Sequence, residues 1–425
     1  MRFLLLYKGH YNGTLRGPEM RYVAVADQLI SSGHEVVICG KAGGDSISDA
    51  VQFVAVSRVF RLLRAFLNAD VIVLHGGGPV VLAFAFISAL CGRKIVLDSY
   101  VPHWIELDAM AGSSGLSLKL KLLVKTYFNA VRCFSAGLLF DFIIVANKRQ
   151  LDLHRGMMFP FQLTRDFSRV SVIPFGCEES RNCSRADGRR LMSELGGVKL
   201  GDDDFLVGWL GGTYGWFDLE LPLRAASEAI CRNSQIKLIF FGVDKAYREE
   251  LLEYVAPAAR DNIIFLPWVD FSRRFQYWSG FDLSLVWGGG GYENDYASRT
   301  RNFDCLTLSL PIIQNYDDEW GERLRASGGG VIADQSSLAE GIYRLSKDQG
   351  TLAAMRKSMA ELAGGFYWRK FTDSLLQQVA QPAMSLGRRM VGFFAMLAVL
   401  PAVFVFFVFS SLTIFLERWF SNNEA

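Results

Sequence analysis

The sequence predicts an α/β protein made of two similar domains, each with a parallel sheet covered by helices. Its 425 residues are too many for one hydrophobic core, and two domains of roughly 150 to 200 residues are the usual solution at such a length. Short apolar runs recur along the chain, and most are followed by a glycine-containing loop and then by a stretch with helical character. This order occurs in both halves and is typical of parallel strands joined by crossover helices.

The first half begins with a buried-strand pattern, and a polar loop that contains Gly13 follows it. Two histidines follow later strands of the same half. His75 directly precedes a glycine turn, and His103 lies in the loop after the next strand. Ligands of parallel sheets bind at the carboxyl ends of the strands, so these loops are expected to face a cleft. The strand-like runs of this half are residues 2–7, 36–38, 70–75, 94–98 and 142–146.

The second half repeats this pattern from about residue 204 onward. Its first strand-like run ends in a glycine turn, Gly211–Gly212–Thr213, whose backbone N–H groups suit an anion. The strand-like runs of this half are residues 205–212, 237–242, 262–269 and 281–287. Two domains that face one another across a cleft are therefore expected.

The stretch WGGGGYENDYASRTRNFDCLTLSLP, residues 287–311, is the strongest candidate for a binding site. We predict that Ser298 caps a helix over 299–309, whose free N–H groups and positive dipole end would attract an anion. Arg299 and Arg301 add forked donors that match phosphate oxygens. Asp304 lies about one turn further along and suits the vicinal hydroxyls of a ribose. The alternative is an ordinary capped surface helix with solvated arginines.

Composition excludes several classes of protein. The net charge of +2 does not indicate a nucleic-acid partner. The seven cysteines include no CxxC pair, so neither a disulfide framework nor a zinc site is expected, and a reducing cytoplasm fits.

The carboxyl-terminal part of the chain predicts a membrane segment. Residues 390–416 contain no charged side chain, and about 20 apolar residues suffice to cross a bilayer. We predict a single transmembrane helix over 388–418, with Arg388 and Arg389 holding the large domains in the cytosol at the inner membrane. The alternatives are a buried core helix or a hairpin that returns to the same side. A basic amphipathic stretch at 116–140 is either a second membrane contact or an ordinary domain helix.

Several motifs together resemble the GT-B glycosyltransferases of the retaining, GT4-like group. They are SRTRNFD with Asp304 seven residues before Pro311, the opening GPEMRYVAVADQLISSGHEVVICG, and the interdomain VSVIPFG at residues 170–176. The resemblance implies an N-terminal Rossmann-like acceptor domain, 1–172, and a C-terminal Rossmann-like donor domain, 173–380. It also implies a nucleotide-diphosphate sugar as donor, no cofactor and no obligatory metal.

The residue pattern and the resemblance give one set of site residues. The expected catalytic residues are His103, Glu293 and Arg299. The expected donor-binding residues are Gly13, Gly211, Gly212, Thr213, Asp295, Ser298, Arg299, Thr300, Arg301 and Asp304. The sequence departs from the family at two places: Tyr296 stands where the first glutamate is usual, and GGTYGWFDLE lacks the usual Arg and Lys.

The expected function is that of a membrane-anchored, hexosyltransferase-like retaining glycosyltransferase. Its expected partners are a nucleotide-diphosphate sugar, a lipid-linked glycan acceptor and the membrane, in cell-surface polysaccharide synthesis. Two alternatives stay open: a sugar-nucleotide epimerase of the same build, and a non-catalytic membrane-anchored scaffold that kept the fold.

Overall fold

The structure is a computed structural model that contains two parallel sheets, of seven and six strands. The residues it describes are 1–13, 15–44, 46–75, 79–100, 105, 123, 139–158, 168–179, 183–214, 217–289, 291–315, 318–394, 397, 401 and 408. Two α/β units with parallel sheets were predicted from the sequence, and this architecture is confirmed.

The first sheet has the strand order β3-β2-β1-β4-β5-β6-β7, and all its strand pairs are parallel. Its central strands are buried along their length, as expected for a sheet with helices on both faces. The strands are β1 Arg2–Leu6, β2 Glu35–Gly40, β3 Gln52–Ala55, β4 Val71–Leu74, β5 Lys94–Asp98, β6 Phe142–Val145 and β7 Val170–Val172.

Helices cover both faces of this sheet. The described helices are α1 Gly17–Ser31, α2 Val59–Asn68, α3 Pro79–Leu90 and α4 Lys148–Met158. The edge strand β3 and helix α2 are absent from the sequence prediction, since a four-residue strand with only one fully buried side chain leaves a weak pattern. The predicted helix at 116–140 lies outside the described residues, apart from its positions 123, 139 and 140.

The second sheet has the order β10-β9-β8-β11-β12-β13 and is also wholly parallel. Its strands are β8 Phe205–Trp209, β9 Ile236–Phe241, β10 Ile263–Leu266, β11 Leu283–Val286, β12 Ile312–Gln314 and β13 Gly330–Ile332. Its α-helices begin with α5 Arg185–Gly196, α6 Glu220–Arg232, α7 Lys245–Leu252, α8 Arg274–Trp278 and α9 Gly291–Tyr296. The chain continues with α10 Thr300–Thr307, α11 Glu319–Ser327, α12 Leu338–Lys347, α13 Gln349–Ala363 and α14 Trp368–Ala380.

The two sheets are joined after β7, and α14 returns to the first domain. Phe175 in the joining segment contacts Trp368 of α14 with ring centroids 4.8 Å apart. Arg21 of α1 forms a fully buried ion pair with Asp98, at 2.8 Å, and also donates to the carbonyl oxygen of Pro174 at 3.2 Å. A guanidinium thus ties the first sheet to the joining segment, which gives the junction a defined geometry.

After α14 the chain packs on the first domain through helical residues 386–394. Arg389 forms a buried ion pair with Asp141 at 2.7 Å, and Phe393 stacks on Phe86 at 4.1 Å. The predicted transmembrane helix over 388–418 lies outside the described residues except at 388–394, 397, 401 and 408. None of the helices in the described part of the chain has the length and apolar character that a membrane crossing needs.

Candidate active site

The candidate stretch 287–311 lies where the strand order of the second sheet reverses. It begins after β11, and the neighbouring strand β8 leads into the turn at Gly211 and Gly212. Helices that leave two such strands pass to opposite faces of the sheet and open a crevice between them. The fold therefore brings the glycine turn and the candidate stretch to one crevice.

The helix of this stretch is shorter than predicted. It spans Thr300–Thr307, its N-cap residue is Arg299, and no side chain caps it. The predicted cap by Ser298 is wrong, because the helix begins one residue later than expected and leaves Ser298 outside the cap position. At the other end, Ser309 adopts a φ of 51°, which ends the helical path before Pro311.

The amino end of α10 lies between the two domains. A β-carbon at Gly17 of α1 would be 3.0 Å from the Cγ2 atom of Thr300, so α1 and α10 meet almost directly. Just before α10, the carbonyl oxygen of Tyr296 accepts hydrogen bonds from Asn147, at 3.2 Å, and Gln150, at 2.7 Å. Both amides belong to the first domain, so the domain interface fixes this end of the candidate stretch.

Arg301 lies against the glycine turn. Its Nη2 atom donates to the carbonyl oxygen of Gly212 at 3.0 Å, and Gly211 has a φ of 96°, which favours glycine. The guanidinium lies 4.1 Å from the ring centre of Phe217 and 4.8 Å from that of Trp209. These aromatic faces hold the planar group in place beside the turn. Thr213 follows in the same turn and is partly exposed.

Arg299 forms a buried ion pair with Glu293. Its two terminal nitrogens lie 2.6 and 2.5 Å from the two carboxylate oxygens, and both side chains are almost fully buried. A further bond of 3.3 Å joins Arg299 to the Oδ1 atom of Asn294. Arg299 was predicted to bind the donor phosphates and Glu293 to be catalytic, yet in the structure each is the partner of the other. A direct phosphate contact by Arg299 would require this pair to open.

Asp304 is held by an arginine that the sequence analysis missed. The Oδ1 atom of Asp304 accepts from the Nε atom of Arg274 at 3.3 Å and from its Nη2 atom at 3.2 Å. Arg274 also lies between the rings of Phe271, at 3.6 Å, and Phe275, at 3.8 Å. Burial raises the pKa of Asp304, and the guanidinium of Arg274 partly offsets that rise. Thirty positions separate the two residues, so no local pattern could have paired them.

Asp304 lies on the wall of an interdomain cavity of about 750 Å³. The first domain contributes Gly13, and its carbonyl oxygen accepts a hydrogen bond of 3.1 Å from the backbone N–H of Phe271 in the second domain. The second domain contributes Arg274 and Glu178, whose side chains lie 3.4 Å apart. A cavity of this volume is within the range of small-molecule sites, and its walls come from both domains.

The remaining candidate residues lie apart from one another: one at the domain interface, one inside the first domain and one outside the described residues. Asp295 is exposed and lies 3.7 Å from Arg149 of the first domain. His75 is partly buried, contacts Tyr7 and Tyr100, and its Nδ1 atom is 2.8 Å from the carbonyl oxygen of Asp98. His103 lies outside the described residues. Among the side chains that the structure describes, no three of His, Cys, Asp or Glu are grouped to hold a metal ion.

Comparison with known proteins rests on structure alone. No protein-family profile matches the chain, and no curated protein matches its sequence. HepE of Anabaena in complex with UDP-glucose superposes with a TM-score of 0.62 at 15% identity, covering 89% of this chain and 99% of HepE. WaaG, a glycosyltransferase involved in lipopolysaccharide biosynthesis, superposes with a TM-score of 0.63 at 14% identity, covering 88% and 98% of the two chains.

The fold is GT-B. The same architecture occurs in a Listeria monocytogenes protein assigned as a UDP-N-acetylglucosamine 2-epimerase, at a TM-score of 0.52 and 10% identity over 89% of this chain and 95% of that protein. The GT-B fold therefore serves more than one kind of chemistry, and function has to be argued from the site.

Proposed function

We propose that this GT-B protein is a glycosyltransferase that moves a sugar from a nucleotide-diphosphate sugar to a membrane-associated acceptor. The observation that carries the proposal is the placement of Arg301 and Asp304 on one helix at the interdomain crevice. Arg301 adjoins the glycine turn, and Asp304 adjoins the cavity. Residues three apart lie on the same helix face, about one turn or 5 Å from each other, which suits a diphosphate next to a ribose.

Each group has a defined task in this proposal. Arg301 and the N–H groups of Gly212 and Thr213 contact the diphosphate, where negative charge grows as the glycosidic bond breaks. Asp304, oriented by Arg274, accepts hydrogen bonds from the ribose hydroxyls and so locates the reacting carbon. Gly13 borders the same cavity from the first domain and leaves room for the ligand.

The finer features of the proposal come from the sequence. The resemblance to the retaining, GT4-like group implies transfer with retention and no obligatory metal. The uncharged segment 390–416 implies a single-pass protein of the inner membrane with cytosolic domains. An acceptor at that surface is of the lipid-linked glycan type, which places the reaction in cell-surface polysaccharide synthesis.

The purified full chain, incubated with a panel of radiolabelled nucleotide sugars, tests the proposal. We expect one donor to be hydrolysed slowly alone and faster with a membrane-lipid extract that contains acceptor. The Asp304→Ala variant is expected to bind that donor more weakly, and the Arg273→Ala variant, which changes a nearby exposed arginine, is the matched control. Absence of binding by every donor in the panel would contradict the proposal.

Two other functions are each favoured by one observation. The shared fold with an epimerase-type protein favours a sugar-nucleotide epimerase, which would interconvert two donors without any acceptor. The Arg299–Glu293 pair favours a non-catalytic scaffold, because it neutralises one of the two arginines that were expected to face phosphate. The same panel separates the three: transfer or hydrolysis, interconversion, or binding without turnover.

A further inference from the structure

One side of the first sheet is covered by an outer layer made of α2, α3 and residues 386–394. Phe66 of α2 meets Phe84 of α3 with ring centroids 5.9 Å apart, and Phe86 of α3 stacks on Phe393 at 4.1 Å. All three segments contribute to the same hydrophobic core against the sheet. Their outward sides therefore form one surface, which we call the outer face.

The outer face exposes apolar side chains on all three segments. Phe60 of α2 is 89% exposed and Phe394 is 60% exposed. Others on the same segments are at least two-fifths exposed, namely Val59, Val80, Ile87, Leu90, Leu386 and Val391. Single exposed apolar residues are ordinary, but a set spread over adjacent helices marks an interaction surface.

The charged side chains exposed on α2 and at its N-cap residue, Arg58, are all basic. Arg58, Arg61 and Arg64 are exposed, and none of them has an ion-pair or side-chain hydrogen-bond partner among the described residues. The sequences of α2, of α3 and of residues 384–394 contain no acidic residue. Phe60 and Arg64 are four residues apart, so an aromatic ring and a cation share one side of the helix.

Several surface arginines of the second domain, in contrast, form ion pairs with glutamates. On the second domain, Arg190, Arg224 and Arg344 each lie 2.6 to 2.9 Å from a glutamate one helical turn away. Those pairs leave little net charge for a partner. The unpaired arginines of α2 instead present positive charge beside exposed apolar groups, the combination that binds the headgroup region of anionic membranes.

The course of the chain indicates what covers the outer face. The uncharged stretch 390–416 begins within these residues, and the 22 residues that follow Phe394, 395–416, are enough to cross a bilayer. The buried pair of Arg389 with Asp141, at 2.7 Å, fastens this segment to the domain. A segment that enters a bilayer from this position brings the outer face to the membrane surface.

We propose that the outer face of the first domain lies on the surface of an anionic bilayer. Phe60 inserts among the headgroups, and Arg58, Arg61 and Arg64 contact lipid phosphates. A second copy of the chain fits less well, because a twofold interface would bring together two faces that carry basic but no acidic side chains. The inference rests on the membrane segment of the proposed function, but not on the proposed reaction, because this surface is separate from the cleft.

Photocrosslinking of the full chain in lipid nanodiscs tests the inference. The Phe60→p-benzoylphenylalanine variant is expected to form lipid adducts in discs that contain phosphatidylglycerol, and far fewer in discs of phosphatidylcholine alone. The matched position is Glu249, exposed on α7 of the second domain, where the same substitution is expected to form none. Products that join two copies, or no adduct at position 60, would overturn the inference.

Charge reversal provides the second arm of the experiment. Combined with the photoreactive residue, the Arg58→Glu, Arg61→Glu and Arg64→Glu changes are expected to reduce the lipid adduct about tenfold or more, since each basic residue near an anionic surface strengthens binding severalfold. The Arg190→Glu, Arg224→Glu and Arg344→Glu changes alter net charge equally and should leave the adduct unchanged. Nucleotide-sugar turnover in the same discs tests the proposed function separately. An equal loss in both triple variants would show that the position of the arginines does not matter.

Discussion

At the scale of single residues, the two arginines of the SRTR sequence have different environments. Arg299 is matched by the carboxylate of Glu293, so the pair presents almost no net charge to a ligand. Arg301 is held beside the glycine turn by the carbonyl oxygen of Gly212 and by two aromatic rings. Sequence alone treats the two as equivalent, whereas the structure favours Arg301 for a diphosphate.

Arg301 is therefore the residue whose loss should affect the reaction most. Its replacement in Arg301→Met keeps a long side chain under the aromatic rings and removes the charge. We expect turnover to fall about 10²- to 10³-fold, the usual effect of losing one preorganised donor. Steady-state rates with the donor identified by the panel measure this, and Arg301→Lys should recover part of the loss. A wild-type rate in Arg301→Met would remove Arg301 from the mechanism.

Arg299 should matter mainly for stability. The Arg299→Ala change leaves Glu293 buried without its partner, and breaking a buried ion pair in this way costs about 3 to 5 kcal/mol. The double change Glu293→Gln with Arg299→Met removes both charges and should be less destabilised than the single variant. Urea unfolding of the single and double variants measures the difference. Equal stability of Arg299→Ala and the wild type would contradict a structural role for the pair.

Asp304 predicts a pH dependence of donor binding. Burial raises the pKa of Asp304, and only the ionised carboxylate accepts hydrogen bonds from both ribose hydroxyls, so affinity should fall as pH decreases through that pKa. Arg274 lowers the pKa, and its loss in Arg274→Met should shift the fall in affinity to higher pH. Titration calorimetry over a pH series from acid to neutral measures the shift. The Arg273→Met variant, which leaves Asp304 paired, should follow the wild-type profile.

At the scale of secondary structure, the N-cap residue of α11 is a buried aspartate, Asp318, whose burial disfavours its ionised form. Asp318 caps this helix by accepting the backbone N–H of Gly321 at 2.8 Å, and burial raises its pKa from 3.8 to about 6. The folded state therefore holds the proton more tightly than the unfolded chain does. The stability that comes from this proton is complete below about pH 4 and is lost as pH rises through about 6.

Removal of that carboxylate charge should stabilise the protein at neutral pH. The Asp318→Asn change keeps an oxygen for the cap but carries no titrating proton. The free energy of unfolding of the variant minus that of the wild type should therefore increase by about 2 to 3 kcal/mol from pH 4 to pH 8, at 1.4 kcal/mol per pKa unit. The Asp318→Ala variant is the control, since it also loses the cap and about 1 kcal/mol with it. Urea unfolding at both pH values measures the gain. A difference between Asn and wild type that does not change with pH would contradict the raised pKa.

At the scale of the whole molecule, the segment after α14 is part of the first domain. The Asp141 carboxylate accepts from Arg389, at 2.7 and 2.8 Å, and from the backbone N–H of Met384, at 2.6 Å. It also accepts from the N–H of Ile95 at 2.8 Å, which links this segment to the first sheet. Removing residues 384–425 would take away three of these four hydrogen bonds to Asp141, including both from Arg389.

The stability of a chain shortened at its carboxyl end should therefore depend on whether Arg389 is kept. A chain that ends at Phe394 keeps Arg389 and is expected to unfold near the temperature of the full chain in detergent. A chain that ends at Ala383 should be less stable by about 3 to 5 kcal/mol, because a buried carboxylate has lost its partner. The Asp141→Asn change should recover part of that loss in the shorter chain only. Thermal unfolding of the two truncated chains, with and without Asp141→Asn, measures these differences.

The sequence by itself determined the architecture and the neighbourhood of the site. Buried strands such as Leu4 to Leu6 and Ile143 to Val145 are apolar on both faces, and helix-like stretches follow them, so local patterns predict two parallel sheets. The same patterns led to the stretch at Arg301 and Asp304. Strand β3 was missed because its local pattern is weak, whereas helix α2 has a clear amphipathic pattern that the sequence analysis did not use.

Only the tertiary structure decided which charges meet. Glu293 pairs with Arg299 and not with a ligand, Asp304 pairs with Arg274 from thirty positions earlier, and the cap expected from Ser298 does not form. Each outcome depends on where the chain folds back and on which side chains are buried together. Sequence patterns record what is near along the chain, so the distant Arg274–Asp304 pair was invisible before the fold was known. The Glu293–Arg299 pair is close in sequence, but only the fold shows that the two side chains are buried against each other.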